Sequence, residues 1–404
     1  MTGILVSGGT FSGSGDVTTA FLYVMHSGST DLVKSNVYMP DTLTLTGANT
    51  VDYDSKGTTD YALSLPSDPH SITTFDNSNG KVIFANTANF NVYPQYENWY
   101  DWEMQTIGDV SGTQRGDLTC RQMIMHSGTW NAGVSFWNAG FNASGLVYAS
   151  GGHLNIGTNA AGTDARTAGA VYIAALGTLT TTAGTLTVNG APNGGYSWYN
   201  PEGTFNHSNG TVAINFVGTD ATHVREGNQF YNYEQTLDTA SYASARVNWR
   251  GDGSAPYAFT IGNDLTLKEG AFRPSNATNT IVVSGNVDVE TGGTYGYSAG
   301  DFEAAASFGS VYNPLGNMYL STGTTTITGP ATSGYMWRTN AATIHHNSGT
   351  VYFNTGSYNG NDVYPAPTQP FYNLIYSGSG TVEMFSSIIA NNFTLGTDVI
   401  FRPI

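Results

Sequence analysis

The sequence is poor in cysteine, in basic side chains and in long apolar runs. Cys120 is the only cysteine among 404 residues, which excludes an internal disulfide and a metal-thiolate cluster. Lys and Arg total 13 against 29 Asp and Glu, for a net charge of −16. Nucleic acids and anionic membranes attract clustered cations, so neither is expected as a partner. Residues 1–13 lack the basic and apolar regions of a secretory signal, and no apolar run reaches the ~18 residues of a membrane span.

Glycine, tyrosine and short alternating segments dominate instead. The chain has 50 Gly and 25 Tyr, with only 10% charged residues, and it is too rich in aromatic and β-branched residues to be disordered. Segments such as TLTL at 42–45 and TVYF at 350–353 alternate polar and apolar residues between turn formers, as β-strands do. No segment of helix length carries a 3.6-residue period with caps. The sequence therefore predicts an all-β protein.

A long internal repeat is the strongest feature of the chain. Segment 184–214 aligns without a gap on 323–353, at an offset of 139 residues. Repetition of this kind is typical of stacked architectures, in which each unit buries its apolar face against the next. The first-copy residues that recur identically in the second are Gly184, Thr185, Thr187, Gly190, Gly195, Tyr196, Trp198, Thr204, His207, Gly210, Thr211 and Val212.

The repeat extends beyond this block in both directions. Downstream, 264–267 answers 392–395, and the Phe-Arg-Pro of 272–274 answers 401–403. The earlier copy continues past its Phe-Arg-Pro, so the chain is expected to stop within a unit. Upstream, 75–82 is a weaker copy of 205–212 in which Asn77 replaces the histidine. The offsets differ, which is expected when loops are inserted between stacked units.

Two all-β architectures fit these strands, a right-handed parallel β-solenoid and a string of tandem β-sandwich domains. In a solenoid each circuit of the chain, here called a coil, supplies short strands that pair in parallel with those of the next coil. No linker or composition shift marks domain boundaries. We expect one continuous solenoid over 1–404 with inserted loops and coils of roughly 20 to 25 residues. Its approximate units are 1–71, 72–180, 181–319 and 320–404, the last incomplete.

The histidines are candidate metal ligands because four of them occur in related contexts. His26, His126, His207 and His346 each lie in a turn-like segment such as MHSG or NHSNG. Stacked repeats separate equivalent residues by whole coils, which argues against a shared metal. The alternative is a ring nitrogen that binds a backbone group of the turn. His345 adjoins His346, and neighbours on a strand point to opposite faces, so this pair is not expected to chelate.

Acidic pairs are candidates for polysaccharide hydrolysis, which uses two carboxyl groups. Asp101 and Glu103 lie in YENWYDWEMQ, and Asp301 and Glu303 lie in SAGDFEAAAS. Neither pair belongs to a recognisable catalytic motif. Solvated surface carboxylates are the alternative, and we expect no catalytic residue.

Two further acidic pairs are weak candidates for structural calcium. They are Asp52 with Asp54, and Asp288 with Glu290. Neither lies in an EF-hand loop or a repeated calcium-binding nonapeptide. No metal site and no cofactor is therefore expected.

Aromatic residues cluster in and after the segment 91–121, where the repeat fails. Flat rings beside Asn and Asp suit a glycan site, and Tyr and Trp also anchor subunit interfaces. The alternative is a loop that packs its own rings against the solenoid. Tyr196 and Trp198 recur at Tyr335 and Trp337 and are expected to be structural. The candidates for glycan or interface contacts are Tyr93, Tyr96, Trp99, Tyr100, Trp102, Trp130 and Trp137.

The repeated unit resembles a known kind of protein. It consists of GYxW, TFxHxxGTVxF, FYNL and then NDLTL or NNFTL, and it is clear from Thr181 onward. It is similar to the β-helical repeats of large phage virion structural and tail-fibre proteins and of bacterial surface adhesins. These motifs identify an architecture and no catalytic residues.

The resemblance implies an extracellular role without enzymatic activity. The expected function is a rigid rod in a virion surface or tail appendage, which contacts neighbouring subunits or host surface glycans. Its partners would be further copies of itself, in trimers as is usual for fibres, other virion proteins and host polysaccharide. The alternatives are a bacterial adhesin or filament protein and a tailspike-like polysaccharide depolymerase. The divergent segment 91–121 is where a specific function is expected.

Overall fold

The described part of the chain consists of β-strands and turns, with no helix. It comes from a computed structural model. The residues described are 3–6, 9–24, 35–48, 61–65, 72–94, 98–106, 109–114, 118–132, 141–156, 166–181, 183–190, 195–216, 221–226, 229–241, 245–249, 258–274, 280–296, 305–312, 315–329, 335–339, 343–354, 361–366 and 370–404.

Most strands are short, as the alternating segments predict. In the first half of the chain they are β1 (Ile4–Val6), β2 (Gly9–Ser12), β3 (Asp16–Thr19), β4 (Leu22–Val24), β5 (Ser35–Tyr38), β6 (Thr42–Leu45), β7 (Tyr61–Ser64), β8 (Ile72–Asp76), β9 (Lys81–Phe84), β10 (Phe90–Tyr93), β11 (Asp101–Gln105), β12 (Ser111–Gln114), β13 (Leu118–Cys120), β14 (Gln122–Ser127), β15 (Thr129–Asn131), β16 (Phe141–Ala149), β17 (His153–Asn155), β18 (Arg166–Ile173), β19 (Thr178–Thr180) and β20 (Thr185–Val188).

The second half includes the longest strand, β29. Its strands are β21 (Tyr196–Asn200), β22 (Thr204–Asn206), β23 (Thr211–Ile214), β24 (Ala221–Glu226), β25 (Asn232–Thr236), β26 (Arg246–Trp249), β27 (Ala258–Ile261), β28 (Leu265–Pro274), β29 (Thr280–Tyr295), β30 (Ala305–Tyr312), β31 (Asn317–Tyr319), β32 (Thr324–Ile327), β33 (Tyr335–Arg338), β34 (Thr343–His345), β35 (Thr350–Asn354), β36 (Asn361–Tyr364), β37 (Phe371–Ser377), β38 (Gly380–Met384), β39 (Ala390–Leu395) and β40 (Val399–Pro403).

The chain divides into two compact units. Unit 1 comprises Met1–Pro192 with Asn200–Gly210, and unit 2 comprises Asn193–Tyr199 with Thr211–Ile404. The prediction of one continuous solenoid over 1–404 stays a prediction.

Unit 1 consists of parallel β-sheets, whose strands come from coils stacked one on the next. One sheet runs β1-β4-β7-β10-β12-β15-β17-β19-β22, a second contains β3-β6-β9-β11-β14 and continues through β16, and a third is β2-β5-β8. Neighbouring strands within each sheet are parallel. Parallel pairing between successive coils is the property that defines a β-solenoid. The predicted fold class is confirmed, and tandem sandwiches, which are antiparallel, are excluded.

Some steps between successive coils are close to the expected length. Asn155 Nδ2 donates to Asn131 Oδ1 across 24 residues of chain, and Asn206 Nδ2 donates to Thr180 Oγ1 across 26. Insertions lengthen some steps, since the bond from Asn86 Nδ2 to the Gly47 carbonyl spans 39 residues. Alternate side chains point inward, where they form columns of buried residues along the stack.

Unit 2 is built in the same way. β23-β25-β28-β29 form a parallel series, as do β27-β29-β30-β32-β35-β37-β39 and β33-β36-β38-β40. Side-chain amides bond from coil to coil at one corner, with N···O distances of 2.8 to 3.4 Å. Such ladders hold successive coils in register. They run Thr211–Asn232–Asn263 and Thr350–Asn373–Asn392.

Candidate functional site

The predicted carboxylates Asp101 and Glu103 lie on the outer face of β11, in a cluster that we call the charged patch. It consists of Lys81, Asp101, Glu103, Arg121 and His126. β11 pairs in parallel with β9 on one side and β14 on the other, and the register places Asp101 between Lys81 and Gln122. The patch therefore draws its side chains from three successive coils. It lies within the divergent segment 91–121 and the two coils beside it.

Glu103 is the centre of the charged patch and is only 6% exposed. Its Oε2 lies 2.7 Å from Lys81 Nζ, and its Oε1 lies 2.7 Å from His126 Nε2. Gln105, two residues further along the strand, donates to the same Oε1. The carboxylate thus has a partner on its own strand and on both neighbouring coils, so it ties three coils together.

These partners determine the protonation of Glu103. Burial acts to raise the pKa of its carboxyl group, but the hydrogen bonds and charge of Lys81, with Gln105 and His126, outweigh burial and lower it. A general acid in glycoside hydrolysis needs the opposite shift, a raised pKa. Glu103 is therefore suited to hold an ion pair and unsuited to donate a proton.

Asp101 is bound by one arginine. Arg121 Nε donates to Asp101 Oδ1 at 2.9 Å, and Arg121 Nη2 lies 2.5 Å from Oδ2, which makes the contact bidentate. The guanidinium also lies over the Tyr100 ring, 4.2 Å from its centroid, a cation–π contact. Both predicted carboxylates are thus engaged by basic side chains of neighbouring coils.

A serine extends the charged patch by one more coil. Ser150 Oγ lies 3.1 Å from His126 Nδ1, so Ser150, His126 and Glu103 form a hydrogen-bonded chain. The residue types match a nucleophile, a base and a carboxylate. Two contacts work against that chemistry: Ser150 Oγ also donates to the Met125 carbonyl at 3.1 Å, and Lys81 shares the carboxylate of Glu103.

The tryptophans predicted as glycan or interface contacts lie in the core of unit 1. Trp99, Trp102 and Trp130 are buried, and the Trp102 ring centroid lies 5.4 Å from those of both others. Trp130 Nε1 donates to Gln114 Oε1 at 3.3 Å. These indoles have no exposed face for a glycan or a partner, which corrects the prediction for them. Trp102 and Trp130 lie on strands of the solenoid core and not on a loop packed against it.

The remaining aromatic candidates have different positions. Tyr93 and Tyr100 are half-buried and keep part of their rings at the surface. Tyr96 and Trp137 lie outside the described residues. Tyr93 and Tyr100 are therefore the described candidates that can still contact a glycan or a partner.

The repeated aromatic pairs differ in their two positions. Trp198 and Trp337 are fully buried, whereas Tyr196 and Tyr335 are half-buried. Tyr335 contacts Arg338, whose guanidinium carbon lies 4.9 Å from the ring centroid. Each copy of the repeat thus has a buried tryptophan and a half-buried tyrosine at equivalent positions.

The repeated histidines form the predicted turn contact. The backbone N–H of Asn209 donates to His207 Nδ1, and that of Ser348 donates to His346 Nδ1, each at 3.0 Å. In the upstream copy the Asn79 N–H donates to Asn77 Oδ1 at the same distance. An asparagine therefore replaces the histidine without loss of the bond.

The backbone of these turns explains why they recur. The central residues Ser208 and Asn209 have φ of 49° and 60°, as a type I′ turn requires. A glycine follows in each copy, and a Cβ at Gly80 or Gly349 would collide with a carbonyl oxygen of the preceding coil, that of Pro40 or Ser321. The turn prediction is confirmed for His207 and His346 and wrong for His126, which lies on β14 in the charged patch. His26 lies outside the described residues.

Asp288 and Glu290, the described calcium candidates, lie on the outer side of β29. Burial raises the pKa of Asp288 to about 6, with smaller contributions from Glu290 and Asp264. In the parts of the chain that the structure describes, no group of three or more His, Cys, Asp or Glu side chains is arranged to hold a metal ion. Four other acidic candidates lie outside the described residues, namely Asp52, Asp54, Asp301 and Glu303.

Cys120 is buried in unit 1, and burial raises the pKa of its thiol well above the usual range. Such a thiol is unreactive. Across the described ranges, no helix has the length and apolar character to cross a bilayer.

Sequence reasoning missed the basic partners of the patch, Lys81 and Arg121, and its extension to Ser150. Their bonds to the patch join residues that are 20 to 24 positions apart in the chain. Predicting these contacts would have required the length of each coil. Comparison with known proteins finds no matching family model, no matching curated protein and no matching solved structure.

Proposed function

We propose that this chain is a structural component of a virion surface or tail appendage. Stacked coils would supply stiffness, and the outer surface would contact neighbouring subunits or a host glycan. The observation that supports this proposal best is that the carboxylates of the charged patch are bound by side chains of neighbouring coils. Glu103 is shared by Lys81, Gln105 and His126, and Asp101 is held by Arg121. Groups engaged in this way stabilise a scaffold.

The outer surface has aromatic rings that suit contact with sugars or subunits. Tyr148 and Tyr172 pair edge to face at 4.8 Å, and Tyr319 lies parallel to His345 at 4.1 Å. These side chains are half-buried, and aromatic rings that are partly open to solvent beside polar side chains are typical of carbohydrate and interface contacts. The half-buried Tyr100, under Arg121, belongs to the same class of surface.

The test of this proposal is the location of the protein in its native setting. An antibody raised against the purified chain should label projections on phage particles released by lysis, and the purified chain should sediment as an oligomer. Label on intact bacterial cells and none on particles would favour the adhesin alternative. Label confined to the cell interior would overturn both assignments.

A second candidate function rests on Asp288. Its pKa, raised to about 6, gives it the protonated fraction near neutral pH that a general acid needs. Glu290 follows two residues later on the same strand and so faces the same side. A polysaccharide-cleaving activity based on this pair should fall as the pH rises through about 6 and should be lost in Asp288→Asn. An activity that survives Asp288→Asn would remove this candidate.

A further inference from the structure

A strip of tyrosines and one arginine lies on the outer side of unit 2. The register pairs Tyr312 of β30 with Arg338 of β33, and Arg338 with Tyr364 of β36. Tyr335 lies at the start of β33, and all four side chains are half-buried. β29 and β38 lie on the far sides of β30 and β36, so the strip follows the lateral face of the stacked coils. We call these four residues the outer strip.

The arginine fixes two rings of the outer strip. The Tyr312 and Tyr335 ring centroids are 5.9 Å apart. Arg338 Nη1 donates to the Tyr312 hydroxyl at 3.1 Å, and its guanidinium carbon lies 5.5 Å from the Tyr312 centroid and 4.9 Å from that of Tyr335. Such cation–π contacts hold both phenols in place. A surface whose rings are already ordered loses less conformational entropy when it binds a ligand.

The same kind of contact recurs in the earlier copy of the repeat. The offset of 139 residues places Tyr199 at the position of Arg338 and Arg225 at that of Tyr364. Arg225 Nη1 donates to the Tyr199 hydroxyl at 3.4 Å, and the Tyr199 ring centroid lies 4.8 Å from that of Tyr196. Tyrosine and arginine exchange places between the copies, and in both a phenol contacts a guanidinium. The two copies thus present one type of surface.

The polar groups at the outer strip carry both charges. A guanidinium has five N–H donors, and the bond to Tyr312 occupies one of those of Arg338. No carboxylate of the described residues lies within ion-pair distance of Arg338. Asp362 lies opposite Tyr335 on the next coil and supplies acceptors. Donors and acceptors beside aromatic rings match sugar hydroxyls, whereas the nearby carboxylate and the net charge of −16 oppose an acidic polymer.

We propose that the outer strip binds an uncharged polysaccharide that runs along the stack of coils. The sugar faces would lie on Tyr312, Tyr335 and Tyr364, and the sugar hydroxyls would bond to Arg338 and Asp362. Neighbouring parallel strands are about 4.8 Å apart, a distance close to the rise per sugar of an extended glycan, so consecutive sugars can meet consecutive coils. The inference names the ligand class of the proposed glycan contact and rests on that proposal.

The size of the outer strip favours a polysaccharide over a second copy of this chain. A stable protein interface takes about 20–30 residues a side. The outer strip is a narrow row of four side chains from three successive coils. A sugar polymer requires no wider surface, because each sugar contacts one or two rings.

Electrophoresis of the full chain in native gels that contain a polysaccharide tests the proposal. Hydroxyethyl cellulose, laminarin and dextran are the uncharged probes, and alginate is the acidic one. At least one uncharged probe should retard the chain, with little dependence on salt. The Tyr196→Ala, Tyr335→Ala double variant removes one ring from each copy and should bind at least about tenfold more weakly, because stacking on one ring contributes close to a factor of ten. Tyr352→Ala should bind as the wild type does, since Tyr352 is half-buried on β35, outside the outer strip.

A second variant keeps every ring. Arg338→Gln should weaken binding of the uncharged probe by about two- to tenfold through loss of hydrogen bonds to sugar hydroxyls, and circular dichroism should show each variant folded. Retardation by none of the uncharged probes, or equal retardation of the wild type and the double variant, would overturn the proposal. Retardation by alginate alone that salt abolishes would also overturn it, since Arg338 would then bind an anion. Self-association that the double variant abolishes would do the same, since a second copy would then be the occupant.

The experiment also separates this inference from the proposed function. Antibody label on virion projections, without polysaccharide binding by the chain, would overturn the inference and leave the virion assignment in place. Polysaccharide binding that requires the outer strip, without label on particles, would support the inference and overturn the virion assignment.

Discussion

Three histidines that look alike in sequence have two different roles. His207 and His346 each accept a backbone hydrogen bond inside their own turn, two residues away. His126 instead bonds to Glu103 and Ser150, 23 and 24 residues away along the chain. The first role is local and repeats with the sequence. The second depends on the stacking of coils in the segment where the repeat fails.

The difference shows where this chain can carry a specific property. Within the repeat, histidine serves the architecture, and asparagine at position 77 serves it equally well. In the charged patch, a combination of acidic and basic side chains from several coils meets in one place. If the patch also serves the architecture, its residues should act on stability alone.

The largest expected effect concerns the tryptophans of the two regions. Trp102→Ala in the divergent segment and Trp337→Ala in the repeat should each lower the free energy of unfolding by about 3–5 kcal/mol, because both side chains are fully buried. Denaturant unfolding measures this. Tyr100→Ala is the control and should cost less, since Tyr100 is half-buried. A Trp102→Ala protein as stable as the Tyr100→Ala protein would contradict the core assignment.

A smaller effect is expected for the carboxylate at the centre of the charged patch. Glu103→Gln should lower the free energy of unfolding by about 1–2 kcal/mol, because it removes charged hydrogen bonds at a buried site. Glu234→Gln is the matched control. Glu234 pairs with Lys268 at 2.7 Å but has 30% of its side chain exposed, so its loss should cost below about 1 kcal/mol.

The pH dependence sharpens this test. The folded state lowers the pKa of Glu103 below its ordinary 4.5, so its stabilising contribution is complete above that value. The contribution is lost as the pH falls through the lower folded pKa. The stability difference between wild type and Glu103→Gln should therefore shrink only in acid below about 4.5. A difference that is constant from neutral to strongly acidic pH would show that the charge of Glu103 is irrelevant.

The smallest effect is expected in the repeated turn. His207→Ala should lower the free energy of unfolding by about 0.5–1.5 kcal/mol through loss of one hydrogen bond. His207→Asn should restore it, as Asn77 does in the upstream copy.

Burial lowers the pKa of His207 below 6.5. Its contribution is therefore present above that value and is lost as the pH falls through the folded pKa. His207→Asn should remove this part of the pH dependence. An asparagine variant as unstable as the alanine variant would contradict the turn assignment.

The repeat was sufficient to predict the fold class and the turn, because both follow from short segments and their recurrence. The alternation of polar and apolar residues also indicates which side chains are buried in the core. In the run from Asp101 to Met104, Trp102 and Met104 occupy one face and the carboxylates the other, as the structure has them. The alternation therefore predicts a buried Trp102, in contrast to the interpretation of the aromatic cluster as a contact surface.

The partners of Glu103 could not be predicted. Lys81 and His126 reach it only because the neighbouring coils have a particular length, and coil length in this chain varies with insertions. The bond from Asn86 to Gly47 spans 39 residues, whereas the bond from Arg121 to Asp101 spans 20. Local patterns do not fix such a register, since it is a property of the stacked coils.

The most direct test of the account is a cleavage assay. If the charged patch acts on stability alone, the purified chain, incubated with capsular and cell-wall polysaccharides, should release no more reducing ends than the heat-denatured chain. Glu103→Gln and Asp101→Asn should alter unfolding and leave this background unchanged. Oligosaccharide release by the wild type that disappears in Asp101→Asn or Glu103→Gln would contradict the account.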